Sequence, residues 1–218
     1  MLTYTLRRLL LAIPTLLLIS LVIFIILSRL LAPEEIGLVA FALIVVELGR
    51  VIVNAGFSQA IVRHPEWDEH YAATCFYLNL LLALLVTAVA FWVVAPLVAF
   101  YYDPRAELLV QVLSVIFFLE GAKAVHEGKL KREFNFRAIA LRTVIASLVS
   151  GIVGVALAFL GYGVWALVWQ QLINQIFITL LTWKSAHWFP GWHFSFAHTG
   201  SLLSFSAPLT LAQLVSNL

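Results

Sequence analysis

Glu47, Arg50, Asn54 and Ser58 recur at i, i+3, i+7 and i+11 inside an otherwise apolar stretch. That spacing sets four polar groups on one face of a helix. An ionised side chain inside a membrane is costly, so it faces a bundle interior or a wet cavity. Two readings stand side by side. The stripe lines a substrate path, with Arg50 meeting an anionic group. Alternatively, Glu47 and Arg50 satisfy each other and only hold helices together. Glu120 and Lys123 repeat the i, i+3 pairing, and His126, Glu127, Lys129, Lys131, Arg132 and Glu133 follow. The pair is expected near the cytoplasmic end of a span. The residues after it are expected to form a solvated extension touching headgroups and attracted to anionic lipid. A third group is Gln170, Gln171, Asn174 and Gln175. Amides in a span commonly hydrogen-bond between helices, for about 1 kcal/mol or less; cavity lining is the alternative. The substrate-path candidates are therefore Glu47, Arg50, Asn54, Glu120, Lys123, Gln171 and Asn174.

Enzymatic chemistry has no footing in these residues. There is no nucleophile–base constellation, no glycine-rich phosphate loop and no His-Glu-x-x-His. Asp68 and Glu69, near Arg63 and His64, read as a solvated face. Cys75 is the single cysteine and has no disulfide partner. The six histidines, His64, His70, His126, His187, His193 and His198, are scattered and read as loop and interface residues. No metal or other cofactor is expected.

The elements that must position these groups are membrane spans. Of 218 residues, 63% are hydrophobic and 11% charged, and mean hydropathy is +1.02. A soluble chain of this length carries about a quarter charged residues. A soluble enzyme and a disordered chain are both excluded, which leaves an all-α polytopic transmembrane bundle. Spanning the hydrocarbon takes roughly 20 apolar residues. The runs are Leu9–Leu27, Ile36–Val62, Tyr71–Phe100, Leu108 to about Lys123, about Ile139 to Leu160, and Val164–Trp183. A seventh starts near Leu202 and continues to Leu218. The first run is too long for a signal-peptide core and lacks a small-residue cleavage site, so it is expected to be retained. Residues 1–183 thus form a six-helix lobe, 184–200 an interfacial linker with Trp183, Trp188 and Trp192 at headgroup depth, and 201–218 the start of a further helix. Ala146, Ser150, Gly154 and Ala158 repeat at i+4, a small-residue stripe for close helix packing.

Net charge is +2, too weak for nucleic-acid binding. Its distribution sets orientation. With the N-terminus in the cytoplasm, the inner segments hold Arg7, Arg8, Arg63, Lys129, Lys131, Arg132, Arg137 and Lys184. The outer segments hold only Arg29 and Arg105. The uncharged Gly161-Tyr162-Gly163 hairpin falls outside, and residues 184–200 return to the cytoplasm.

Five strings carry a family resemblance. They are Leu27-Ser-Arg-Leu-Leu-Ala-Pro-Glu-Glu-Ile-Gly37, Asn54-Ala-Gly-Phe-Ser-Gln-Ala-Ile-Val-Arg63, Ala95-Pro-Leu-Val-Ala-Phe-Tyr-Tyr-Asp-Pro-Arg105, His126 through Phe136, and Gly161-Tyr-Gly-Val-Trp-Ala-Leu-Val168. In this order, from about Leu21 on, they resemble the polysaccharide flippase branch of the multidrug/oligosaccharidyl-lipid/polysaccharide exporter superfamily. The resemblance implies a bacterial inner-membrane protein that moves a lipid-linked oligosaccharide to the outer leaflet, with membrane lipids around it. It implies two six-helix lobes, of which this chain would cover the first and the start of the second, leaving the C-terminal lobe as a missing partner. The first 26 or so residues, with Met1-Leu-Thr-Tyr-Thr-Leu-Arg-Arg-Leu-Leu-Leu-Ala-Ile-Pro-Thr15, instead resemble the start of a dipeptide-type ABC transporter permease. No Glu-Ala-Ala-x-x-x-Gly coupling loop follows.

The expected function is translocation of a lipid-linked glycan by alternating access, with Arg50 neutralising the pyrophosphate. The competing readings are a small-molecule exporter of the same superfamily, an ABC permease subunit and a membrane assembly subunit.

Overall fold

The computed structural model describes residues 32–54, 57–63 and 67–191, together with Leu21. The expected spans at Leu9–Leu27 and Leu202–Leu218 lie outside the described residues, as do His64, His193 and His198. Within them the fold is all-α. Among the described residues five stretches are long and apolar enough to cross a membrane, and the chain is a multi-pass membrane protein.

Helix α1 runs Pro33–Val53. Pro33 sits in the first turn, where its missing N–H costs nothing. Glu35 reaches back to accept from the Ala32 backbone N–H at 3.1 Å. The helix stops at Asn54, whose backbone N–H donates to Arg50 O at 2.9 Å. A separate short helix, α2, then spans Phe57–Arg63. The continuous run expected over Ile36–Val62 is thus two helices. Ser58 leaves the Arg50 face as a result, and Asn54 becomes an exposed helix end rather than a member of a lining stripe.

Helix α3, Glu69–Val89, is capped by Asp68, which accepts from the His70 N–H at 2.8 Å. It passes through a π-helical turn, Ala90–Val94, into α4, Ala95–Tyr101. Pro96 explains the widened turn, because its ring nitrogen cannot donate back into the ladder. The continuous 33 residues rise about 50 Å, more than the roughly 30 Å hydrocarbon thickness. Helix α5, Pro104–Arg132, starts on Asp103, which accepts from Arg105 N–H at 2.7 Å. Helix α6 covers Phe136–Phe159 and α7 covers Val164–Ala186.

Helix α5 is the axis. It packs against α1, α2, α3, α4 and α7, and 67% of its span is buried against 22–33% for the other spans. Two apolar clusters grip it. One gathers Val39, Ala42 and Val46 of α1 with Leu109, Leu113 and Phe117 of α5 and Leu172 of α7. The other gathers Ile61, Cys75, Phe76 and Val125 with Trp188. The outward faces carry Leu81, Leu85, Leu97, Ile152 and Leu180, all exposed, as a surface bathed in lipid requires.

The second cluster corrects three expectations. The segment after Lys123 is solvated on one side alone: Ala124, Val125, His126 and Leu130 are buried, because α2, the start of α3 and the end of α7 close around it, while Lys131 and Glu133 stay exposed. His126 is a fully buried core residue. Its ring stacks on Trp183 at 4.3 Å, and its Nε2–H donates to Trp188 O at 3.2 Å. Trp188 is buried rather than at headgroup depth, since Phe76, His126 and Trp67 surround it. Trp192 lies outside the described residues. The small-residue stripe does pack as expected: Ala146, Ser150, Gly154 and Ala158 are all buried, and α6 and α7 form the most extensive helix pair.

Candidate functional site

The first pairing of the sequence analysis is present. Arg50 Nη1 donates to Glu47 Oε1 at 2.6 Å, one turn back on α1. The pair is not closed on itself. Arg50 Nε also lies 3.5 Å from Glu120 Oε1 on α5, an ion-pair contact too long for a good hydrogen bond. Glu120 is the hub of the site. Its other oxygen meets Lys123 Nζ at 3.1 Å, and Gln175 Nε2 of α7 donates to Oε1 at 2.9 Å. One carboxylate thereby ties together α1, α5 and α7.

The charges continue down α5. Glu127 follows Lys123 one turn on, on the same face of α5. Glu127 pairs with Lys131 at 2.9 Å and with Arg142 Nη2 of α6 at 3.0 Å. Arg142 is buried, and its Nη1 donates to Thr182 Oγ1 of α7. The result is a ladder of alternating sign: Glu47, Arg50, Glu120, Lys123, Glu127, then Lys131 and Arg142. Helix geometry builds its spine. Glu120, Lys123, Glu127 and Lys131 fall at i, i+3, i+7 and i+11, one face of α5. The stripe expected on α1 therefore exists on α5 instead.

Burial grades along this ladder. The side chains of Glu120 and Lys123 are 7% and 10% exposed, that of Arg50 22%, and that of Glu47 63%. Arg50 thus stands between a buried carboxylate and an accessible one. With four cations against three carboxylates, the ladder is left one positive charge in excess. An entering anion can take the place of a carboxylate on Arg50 without leaving a charge uncompensated. The planar guanidinium offers the paired N–H donors that phosphate oxygens accept.

The remaining candidates are placed as follows. Gln171 is half-buried, one turn before Gln175 on the same face of α7. Asn174 Nδ2 donates to Ser150 Oγ of α6 at 3.1 Å, so it serves the α6–α7 contact. Asn54 stands at the exposed end of α1. Ser58 turns toward α5, where its carbonyl lies near Gly128. Glu127 and Arg142 were missed as site residues. The sign alternation along α5 signals Glu127, whereas Arg142 has no local signal, because its partners lie on other helices. Among the described residues no group of three or more His, Cys, Asp or Glu is placed to hold a metal ion.

With this geometry in view, comparison with known proteins places the chain. A family model described as polysaccharide biosynthesis protein matches residues 26–218. The succinoglycan biosynthesis transport protein ExoT of Rhizobium meliloti (strain 1021) is 30% identical over 181 residues, which are 83% of this chain and 37% of that protein. The chain therefore spans somewhat over a third of that relative's length. No solved structure matches it. Because the family model covers all but the first 25 residues, the chain belongs to the polysaccharide biosynthesis protein family.

Proposed function

We propose that the chain takes part in moving a lipid-linked glycan precursor across the bacterial inner membrane by alternating access, and that the charged ladder receives the anionic end of that substrate. The observation that carries this reading is Arg50, 22% exposed within an apolar bundle and shared between Glu47 and Glu120. The likeness to a succinoglycan transport protein supports a glycan as cargo. In this mechanism the lipid tail stays in the bilayer, while the pyrophosphate exchanges for Glu47 on Arg50, assisted by Lys123. A lobe formed by residues 1–183 rocks against a second one, carrying the head across.

The test is export in cells where this protein supplies it. Glu47→Gln with Arg50→Gln removes one charge of each sign, so abundance is expected to stay near normal while export is lost. Arg50→Lys is expected to keep part of the activity, because the charge survives but the paired donors do not. A double variant that exports as well as the parent sinks the substrate role and leaves a purely structural pair.

The basic residues gathered at the end of the bundle that holds Lys129, Lys131 and Arg132 support placing that end in the cytoplasm. A cysteine at position 131 is expected to react from the cytoplasmic side, and one at position 103 from outside. The reverse labelling pattern overturns the orientation.

A further inference from the structure

At the end of the bundle away from Lys131 lies an open cleft of about 870 Å³, within the size range of ligand sites. Its wall includes Glu34, Glu35, Tyr102, Asp103, Tyr162 and Trp165. We propose that this cleft binds an uncharged stretch of glycan, as a second subsite separate from the charged ladder. The inference rests on the reading that the chain handles a glycan.

Two kinds of group meet there. The aromatic rings offer flat faces, which cover the C–H faces of a sugar ring. The carboxylates accept hydrogen bonds from neighbouring hydroxyls, and such bonds to a charged acceptor are strong. Both kinds are held in advance. Tyr102 stacks on Phe41 at 4.2 Å with the rings 9° from parallel. Asp103 Oδ1 is fixed by the Arg105 N–H and Glu35 Oε2 by the Ala32 N–H. Tyr162 is carried on a tight hairpin between Gly161 (φ +82°) and Gly163 (φ +52°), a backbone conformation that side-chain-bearing residues avoid. A Cβ at Gly163 would come within 2.7 Å of Glu35 Oε1, so the carboxylate rests against the hairpin.

Charge selects the ligand. Three carboxylates against Arg105 give the wall a negative balance, which repels phosphate and accepts a neutral polyol. Distance separates the subsites. Glu34 and Glu47 are 13 residues apart on α1, about 20 Å of helix rise. A substrate with an anionic head and a neutral chain can therefore touch both ends.

The experiment uses the full chain in lipid nanodiscs, titrated with maltopentaose, laminaripentaose and inorganic pyrophosphate, and read by saturation-transfer NMR. At least one pentasaccharide is expected to bind saturably, without competition from pyrophosphate. Tyr162→Ala with Glu34→Gln, both exposed positions, is expected to weaken its Kd tenfold or more. Tyr102→Leu provides a second variant in the lining of the cleft, expected to act in the same direction. The inference is overturned if neither pentasaccharide binds, if the cleft variants bind as the parent does, or if pyrophosphate competes. Its failure is separable from that of the ladder: saccharide binding lost with export still sensitive to Arg50 removes the cleft alone.

Discussion

Glu120→Ala is expected to cost about 3–5 kcal/mol of folded stability, the range for removing one member of a buried ion pair. The side chain is 7% exposed and compensates two cations from two helices, besides accepting from Gln175. Removing it leaves Lys123 buried without its nearest anion and Arg50 with Glu47 alone. Both cations then repel across a space that water reaches poorly. The expected observation is a sharp fall in folded protein in the membrane fraction, with a lowered thermal midpoint in detergent. Glu120→Gln with Lys123→Gln removes a charge of each sign and keeps groups able to hydrogen-bond. That pair is expected to recover most of the loss, because the penalty lies in the uncompensated charge rather than in the missing contact. An Ala variant as stable as the parent would mean that Glu120 is wetter than its burial indicates, and the hub account would fail.

The same hub shows what a sequence can and cannot reveal here. Span existence was legible, because apolar runs of sufficient length have few other uses; α3–α4, α6 and α7 lie where the runs predict. Helix starts with local chemistry were legible too. Asp103-Pro104 caps α5 through a side chain two residues from its partner. The break after Val53 was not read, because hydropathy stays high through Phe57–Val62, although Asn54 and Gly56 are helix-stop residues. That single misreading displaced Asn54 and Ser58 from the site.

The fate of the segment after Lys123 was hidden for a different reason. Its composition reads as solvated. Its charges are nevertheless paired sideways, Glu127 to Arg142 across 15 positions and Lys129 to Ala186 O across 57. Those partners belong to α6 and α7, and no window along α5 contains them. Glu120 and Lys123 were found because their pairing is local. Gln175, the third contact of Glu120, was visible only as one amide among four. Its neighbour Asn174 faces α6 instead, a difference of 100° around the helix that depends on which helix packs where.

Gly121→Ala carries the second large expected effect, and here two opposing magnitudes must be compared. In a helix interior, Gly to Ala is worth up to about 1 kcal/mol in favour of Ala. Gly37 of α1 tests that gain alone, since among the described residues a Cβ there meets nothing within 4 Å; Gly37→Ala is expected to stabilise slightly. At Gly121 a Cβ overlaps Ala83 Cβ of α3 and approaches Asn79 O to 3.2 Å. Neither neighbour can rotate away, as one is a Cβ and the other backbone. Helices α3 and α5 must therefore separate, which loosens the Asn79 Nδ2 bond to Gly121 O, now 3.3 Å. Overpacking of this kind costs about 1–3 kcal/mol, so the clash outweighs the propensity and the net sign is destabilising. Thermal melts should place Gly121→Ala below the parent and Gly121→Leu far below it. Ala83→Gly added to Gly121→Ala should restore much of the loss, because it returns the missing space from the opposite side. Equal melting of Gly121→Ala with and without Ala83→Gly would show that the two helices do not approach each other at this point, and the central packing of α5 would have to be redrawn.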